Sequence, residues 1–189
     1  LYEIRLRLNS EELNRIIVDF FSQRIEFTLK EKGIHYDEIN AILAVGMDDL
    51  LDIFHRARAL SQVRQKPDFE PLIIAFSRIT NILKQARERN IQFQDSFLEE
   101  KLLTEPEEKD LYRTYRDLEK DLRELYQKQE YEEILSRLAS LRPLVDNFFN
   151  KVLVMTEDRS LRDNRLRLLQ NISSLFSPLA DFSKIVISG

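Results

Sequence analysis

The stretch VMTEDRSLRDNRL, residues 154–166, contains three arginines whose type and spacing could do chemistry. Arg159, Arg162 and Arg165 follow one another at intervals of three residues, directly ahead of an apolar helical pattern. This spacing stacks side chains on neighbouring turns of one helix surface. The cluster could bind phosphate, hold a buried carboxylate or simply solvate an exposed face, and the function depends on which of these it does.

Histidines and acidic pairs offer little material for catalysis. The chain has two histidines, and His55 lies three residues after Asp52. A carboxylate di-iron bundle needs that pattern on two helices, and no second copy occurs. We therefore interpret His55 as a surface residue or an interhelical hydrogen-bond partner. Neighbouring acids such as Glu107 and Glu108 diverge on a helix, so favourable charge at a helix start explains them better than a catalytic dyad does.

Motifs for enzymatic chemistry are absent from the sequence. It contains no phosphate-binding glycine loop, no zinc-protease helix and no nucleophile elbow. It has no cysteine, which excludes a disulfide framework and a thiolate zinc site. A metal–carboxylate enzyme is the remaining catalytic hypothesis and rests only on Asp52 and His55. We expect no catalytic residue, no metal and no cofactor in this chain.

The composition favours long helices in a globular protein. Of 189 residues, 43% are hydrophobic and 33% charged, with only three glycines and five prolines to form turns. No apolar run approaches the roughly 20 residues that span a bilayer, and the start has no signal-peptide pattern. We expect a cytoplasmic protein without membrane contacts. Since the sequence lacks an initiator Met, we interpret it as a piece of a longer protein.

The charge distribution is uneven along the chain. The net charge of −4 argues against bulk nucleic-acid binding and against DNA as a partner. Residues 61–90 are nevertheless net basic, residues 91–130 are net acidic, and the last third is slightly basic. An acidic protein can still present a locally basic face.

Apolar residues recur at helical spacing through most of the chain, which predicts an all-α bundle. Residues 88–104 look irregular, with one short turn near Phe97. We find no internal repeat and no low-complexity segment. The first predicted helix covers 10–32, with Ser10 as its N-cap and Gly33 ending it. The second covers 35–45 and ends before Gly46, and the third starts at Asp48 or Asp49 and ends by Pro67. The other predicted helices are one that starts at 69, then 105–129, 130–141, one from Pro143 through Phe149, and 160–176.

A helical wheel of the last predicted helix separates the three arginines. Arg165 falls inside the wide apolar face, whereas Arg162 lies at its edge and Arg159 lies away from it. An arginine within an apolar face must be paired, because a lone buried charge is very costly. We therefore expect a structural role for Arg165, with three candidate partners: Asp146, Glu157 and Asp158.

Arg159 and Arg162 are the better candidates for phosphate binding, with Lys151 just upstream. The alternative is a solvated face, since charge on an exposed helix needs no special reason.

Several blocks of the sequence resemble one family in the same order. LRPLVDNFFNKVLVMTEDRSLRDNRLRLLQNISSLF, followed by ADFSKI, resembles the C-terminal end of the β subunit of bacterial heterotetrameric glycyl-tRNA synthetase. YDEINAILAVGMDDLLDIFHRARAL and FEPLIIAFSRITNILK resemble that subunit too, so the likeness covers roughly residues 10–187. The pattern R-x-N-R-L-x-L-L at 162–169 also resembles the final helix of the DALR-type anticodon-binding domain of arginyl-tRNA synthetases.

The resemblance implies a DALR-type helical anticodon-binding domain at 33–189, with 1–32 as a helix linking to an upstream domain. It implies docking of the anticodon arm of glycine tRNA. In this family the aminoacylation site is on a separate α subunit of an α2β2 enzyme, so ATP and Mg²⁺ would be used by the parent glycine–tRNA ligase and no cofactor by this stretch.

The resemblance also suggests which side chains contact tRNA. Splayed bases are usually read by stacking and edge hydrogen bonds, and phosphates by Lys and Arg. For Phe148 and Phe149 a place in the core is the competing interpretation. The candidate phosphate contacts are Arg78, Lys84, Arg142, Lys151, Arg159 and Arg162, and the candidate base contacts are Asn147, Phe149 and Asn150.

A second hypothesis from a different class is a helical protein-interaction scaffold that contacts the synthetase α subunit. It predicts an exposed apolar patch and no basic face.

Overall fold

The computed structural model describes residues 9–93 and 97–187, and in these ranges it contains helices and no strand. The predicted all-α helical bundle is confirmed. The helices are α1 (Ser10–Glu31), α2 (Tyr36–Leu43), α3 (Leu50–Arg64), α4 (Phe69–Glu88), α5 (Pro106–Gln127), α6 (Tyr131–Ala139), α7 (Arg142–Lys151) and α8 (Arg159–Phe176), with 3-10 turns at Glu100–Leu102 and Phe182–Lys184.

The start of α1 differs from the prediction by one residue. Asn9 is the N-cap: its side-chain oxygen accepts a hydrogen bond from the Glu12 amide at 2.8 Å, and the Glu12 carboxylate accepts from the Asn9 amide at 3.2 Å. This reciprocal capping box leaves Ser10 as the first helical residue, so Ser10 as N-cap is wrong. Gly33 has a φ of 80°, which ends α1 as predicted because glycine adopts this conformation without strain.

Two other local predictions resolve in the structure. Asp49, rather than Asp48, caps α3, and its carboxylate accepts hydrogen bonds from the Leu51 and Asp52 amides at 2.8 and 3.2 Å. The turn expected near Phe97 lies slightly later, at Glu100–Leu102, while residues 94–96 lie outside the described part of the chain.

The charged helix α5 lies along three other helices and organises the bundle. It packs against α6, α7 and α8, while α4 packs against α7 and α8 and α3 against α6. A narrow apolar stripe forms the contact face of α5: Leu111, Tyr115, Leu118 and Leu122 are buried. This arrangement places the start of α5 against α8.

Three phenylalanines join α4, α8 and the last 3-10 turn in the centre of the core. The rings of Phe76 and Phe176 stack with centroids 4.2 Å apart and planes only 7° from parallel. Phe182 approaches Phe76 at 5.5 Å and Phe176 at 5.6 Å. All three side chains are essentially inaccessible to solvent, so the two long helices and the end of the chain share one packed contact.

The core includes residues from Ile25 of α1 to Ile185 near the end of the chain. The boundary between residues 32 and 33 stays a prediction. Among the helices in the described ranges, none combines the length and apolarity that crossing a bilayer requires.

Asp37 in α2 binds the segment around Val186, near the end of the chain. Its buried carboxylate accepts hydrogen bonds from Arg64 at 3.0 and 3.1 Å and from the Val186 amide at 2.8 Å. Burial by itself would raise the pKa of Asp37, but the hydrogen bonds from Val186 and Arg64 outweigh it and lower that pKa below its ordinary value of 3.8. The neighbouring Glu38 is also buried, and there desolvation raises the pKa above 4.5.

These opposite shifts predict opposite effects of neutralising the two carboxyls. Because the folded-state pKa of Asp37 is lowered, its stabilisation is fully present above pH 3.8 and is lost as pH falls through the lowered value. Because the pKa of Glu38 is raised, its ionisation opposes folding once pH rises above 4.5. We expect Asp37→Asn to lower the free energy of unfolding at pH 7 by about 2 kcal/mol, and Glu38→Gln to leave it unchanged or higher.

Urea unfolding of both variants and the wild type between pH 3 and pH 7 tests this prediction. The difference between Asp37→Asn and the wild type should shrink toward pH 3. Equal destabilisation by the two substitutions at pH 7 would contradict it.

Candidate nucleic-acid interface

The residues predicted to contact tRNA lie on α4, α7 and the start of α8. Val145 and Phe148 bury one side of α7 in the core, so its opposite side faces solvent. Packing of α7 against α4 brings Arg78 beside it. The predicted residues are distributed as Arg78 and Lys84 on α4, Arg142, Asn147, Phe149, Asn150 and Lys151 on α7, and Arg159 and Arg162 on α8.

Four residues form what we term the arginine–phenylalanine cluster: Arg78, Arg142, Asp146 and Phe149. The Arg78 guanidinium carbon lies 4.4 Å from the centroid of the Phe149 ring. Asp146 accepts both arginines as ion-pair partners, with 3.7 Å to Arg78 and 3.3 Å to Arg142. Two arginines around one carboxylate leave a net positive charge beside an aromatic plane, a combination suited to stacking a base near its phosphate.

The remaining predicted residues of α7 point in other directions. Arg142, Asp146 and Phe149 share one face because they are four and three residues apart. Asn147 and Lys151, also four residues apart, occupy a different strip of the helix. Asn147, Asn150 and Lys151 are all exposed. Phe148 is fully buried in the core, whereas Phe149 is half-buried. The core interpretation therefore holds completely for Phe148 and partly for Phe149.

A second group of cations surrounds the connection between α7 and α8. Lys151 is the last residue of α7, Arg159 is the first of α8, and both are exposed. Within residues 9–93 and 97–187, neither forms an ion pair. Arg162 differs, because its guanidinium lies 2.8 Å from the Asp163 carboxylate and its side chain is largely covered. Lys151 and Arg159 are therefore the more accessible cations for phosphate.

Lys84 lies apart from both groups. It is six residues beyond Arg78 on α4, and its nearest carboxylate is that of Glu88, 4.0 Å away on the next turn. Of the six predicted phosphate contacts, four lie within 4.0 Å of a carboxylate: Arg78, Lys84, Arg142 and Arg162.

Arg165 is buried and paired, but with a partner different from those expected. Its Nε lies 2.6 Å from a carboxylate oxygen of the fully buried Glu108, and its Nη1 donates to the Leu153 carbonyl at 3.0 Å. Glu108 also accepts from the Glu105 amide at 2.8 Å. The predicted partners Asp146, Glu157 and Asp158 are therefore wrong. The partner is Glu108, which the contact between α5 and α8 places beside Arg165. The sequence alone explained Glu108 only as a favourable charge at the start of a helix.

Arg56 is a second buried arginine, which the sequence analysis did not predict. It is held by the Asp52 carboxylate at 2.7 Å and by the carbonyls of Ile42 and Leu179, each at 3.2 Å. The available signal was the position of Arg56 between Ile53 and Leu60, within the apolar face of α3.

The Asp52–His55 pair does not form a site. Asp52 binds Arg56 and the hydroxyl of Tyr131. His55 is exposed, as expected of a surface residue, and its Nδ1 lies 2.8 Å from the side-chain oxygen of Gln129 in the connection between α5 and α6. Nowhere in the described ranges does a group of three or more His, Asp or Glu come together that could hold a metal ion.

A groove of about 810 Å³ between the end of α1 and the outer face of α3 carries cations that the sequence did not suggest. Lys32 and Arg58 line it above an apolar floor that includes Phe54, His55 also lines it, and none of the lining residues in the described part of the chain is acidic. It is a concave, locally positive surface formed by the first part of the chain, whereas α7 and α8 belong to the last part.

Comparison with known proteins identifies the bundle. The family model described as the DALR anticodon binding domain matches residues 72–181, from α4 to the segment just before the last 3-10 turn. Three similar proteins, each described as a glycine–tRNA ligase beta subunit, come from Acidobacterium capsulatum (44% identity over 91% of this chain and 25% of the relative), Moorella thermoacetica (41%, over 90% and 24%) and Desulforamulus reducens (36%, over 94% and 25%). The chain spans about a quarter of the length of these curated relatives.

The family match covers the helices that carry the arginine–phenylalanine cluster and the cations between α7 and α8. It extends over more than half of the sequence and agrees with the all-helical architecture. This chain is a member of the DALR anticodon-binding domain family.

Proposed function

We propose that this chain binds the anticodon arm of a glycine tRNA. The observation that carries the proposal is the family match over α4–α8, the helices that display the exposed cations and the Arg78–Phe149 contact. The glycine specificity rests on the similarity to glycine–tRNA ligase beta subunits.

In this proposal the cations between α7 and α8 and the arginine–phenylalanine cluster have different roles in binding tRNA. Lys151 and Arg159 are exposed and lack carboxylate partners in the described ranges, so they suit phosphate contacts. The Arg78 guanidinium and the Phe149 ring beside it suit stacking of an unpaired base. Asn147 and Asn150 are exposed on the same helix and can donate to and accept from base edges.

The parent polypeptide, by the same likeness, would serve a glycine–tRNA ligase in the cytoplasm. In this proposal the α subunit carries the aminoacylation site and uses ATP and Mg²⁺, while the present chain holds tRNA so that its acceptor end reaches that site. The chain itself then contributes binding and orientation, which lower the barrier by fixing the geometry of a remote reaction.

We expect Lys151→Ala and Arg159→Ala to weaken binding of glycine tRNA and to reduce its dependence on salt. Each lost phosphate contact lowers the slope of log affinity against log salt concentration by about 0.7–0.9. Fluorescence titrations between 50 and 200 mM salt measure both effects. Arg113→Ala removes the same charge from the outer face of α5, where Asp110 lies 3.5 Å away, and should change neither.

Two further variants locate the RNA. Phe149→Leu should weaken binding without changing the salt slope, since stacking releases no counterion. Arg58→Ala in the groove beside α3 should leave binding intact. If Arg58→Ala weakens binding while Lys151→Ala and Arg159→Ala do not, the tRNA lies on α3 and the proposed interface is wrong.

A further inference from the structure

Helix α1 has one face packed on the bundle and a second apolar face exposed to solvent. Ile25 and Leu29 are buried, and the Ser22 hydroxyl contacts the sulfur of Met47 at 3.1 Å. On the other side, large apolar side chains recur at helical spacing with 44–63% of their surface exposed. We call this set the α1 apolar face: Leu13, Ile16, Ile17, Phe20, Phe21 and Phe27.

The α1 apolar face continues onto the neighbouring part of the bundle. A groove of about 480 Å³ lies beside it, lined by Ile17, Val18, Phe21, Met47 and Leu50, with Asp48 as its one acidic residue. Leu50 and Leu51 at the start of α3 are also about half exposed. Six large exposed side chains and this groove adjoin one another, and a contiguous exposed apolar surface on a soluble protein marks an interaction site.

The charges on α1 argue against a lipid surface as the occupant. Helices that lie on anionic membranes carry Lys and Arg along their polar side. Glu11, Glu12 and Asp19 instead occupy the first half of α1 against a single Arg15. Arg24 is engaged at the apolar face itself, with its guanidinium carbon 4.6 Å from the centroid of the Phe20 ring.

We propose that the α1 apolar face is covered by another domain of the same polypeptide. The curated relatives are about four times as long as the region they share with this chain, so a parent of that kind offers a large intramolecular partner. A covalently joined domain is present at millimolar effective concentration, which favours it over a separate molecule at micromolar concentration.

The location of the face also separates it from tRNA binding. It lies on α1 and the start of α3, outside residues 72–181, whereas the candidate tRNA contacts lie on α4, α7 and α8. The α1 helix then fixes the orientation of the anticodon-binding bundle relative to the rest of the polypeptide. This inference rests on the length of the relatives and not on tRNA recognition, so either can fail alone.

Amide hydrogen exchange in the full-length polypeptide, purified without any other subunit, tests the proposal. We expect amides in the first half of α1 to exchange at least about tenfold more slowly than in the 189-residue chain, at every protein concentration. Phe20→Ser in the full-length polypeptide should restore fast exchange there. Ile74→Ser is the matched control, because Ile74 on α4 is 47% exposed and Phe20 is 51% exposed, and it should leave α1 exchange unchanged.

Three results would overturn the proposal. Equal exchange in the two chains would show that no other domain covers the face. Protection that rises with concentration would indicate a second copy. Protection that appears only after the α subunit is added would assign the face to that subunit, as the scaffold hypothesis requires.

Discussion

Replacing Arg165 by Ala lowers the free energy of unfolding by about 3–5 kcal/mol, because the substitution leaves a buried carboxylate without its counter-ion. Glu108 is fully buried, lies 2.6 Å from Arg165 and keeps only the Glu105 amide and a 3.3 Å contact with the Thr104 hydroxyl. The Leu153 carbonyl also loses its donor. Denaturant unfolding followed by circular dichroism measures the loss.

A double variant separates the cost of the lone charge from the value of the pair. Arg165→Met combined with Glu108→Gln removes both charges and should recover much of the stability lost by Arg165→Ala, since hydrophobic replacement of buried ion pairs is often neutral. Arg159→Ala on the exposed start of α8 is the matched control and should change stability by less than about 0.5 kcal/mol. Equal stability of Arg165→Ala and Arg159→Ala would rule out a structural role for the pair.

Phe76→Ala has an expected effect of similar size, a loss of about 3–5 kcal/mol from a cavity at the centre of the core. The centroid of the Phe76 ring lies 4.2 Å from that of Phe176 and 5.5 Å from that of Phe182, so its removal takes one contact from each of these two rings and leaves them only their contact with each other. The contact joins α4, α8 and the last 3-10 turn, and these elements should loosen together. Thermal and urea unfolding of the variant measure the loss.

Two further substitutions check that the effect comes from the packed cavity. Phe97→Ala removes an equal volume from a side chain that is 92% exposed and should be nearly neutral. Phe76→Leu keeps most of the apolar volume and should be much less destabilising than Phe76→Ala. If Phe76→Leu and Phe76→Ala are equally destabilising, the stacked geometry matters more than the filled volume.

The helices could be predicted because their signals are local. Periodicity and stop residues located the main helices to within a few residues. The one-residue error at α1 arose where Asn9 and Ser10 are both good caps. Glu12 decides between them, because only Asn9 places it at the third helical position needed for a capping box.

Polar partners were harder to predict because they depend on which helices meet. The apolar face of α8 indicated that Arg165 must be paired, yet its partner Glu108 lies 57 residues away and was explained by its position at a helix start. Arg56 had the same signal in α3 but needs carbonyls from two distant segments. Sequence spacing carries no information about such tertiary partners.

The candidate interface illustrates the same limit on a smaller scale. The family likeness pointed to α7 and the start of α8, which the bundle does expose. Spacing could not reveal that Asp146 would engage Arg78 and Arg142 together, or that Asp163 would engage Arg162. Because of these acids, the expected basic patch consists of two parts. Lys151 and Arg159 are accessible cations, whereas the arginines near Phe149 are engaged by a carboxylate.

The attachment of the last segment to α2 has a consequence for the order in which the molecule can form during translation. Asp37 and Arg56 leave the ribosome before Val186 and Leu179, which they bind and from which they are separated by 149 and 123 residues. Until those residues emerge, the nascent α2–α3 unit lacks the Leu179 carbonyl and the Val186 amide that complete its polar contacts. The amino-terminal half of the bundle therefore reaches its native state only after synthesis of its carboxyl end, and long-range closure of this kind slows folding.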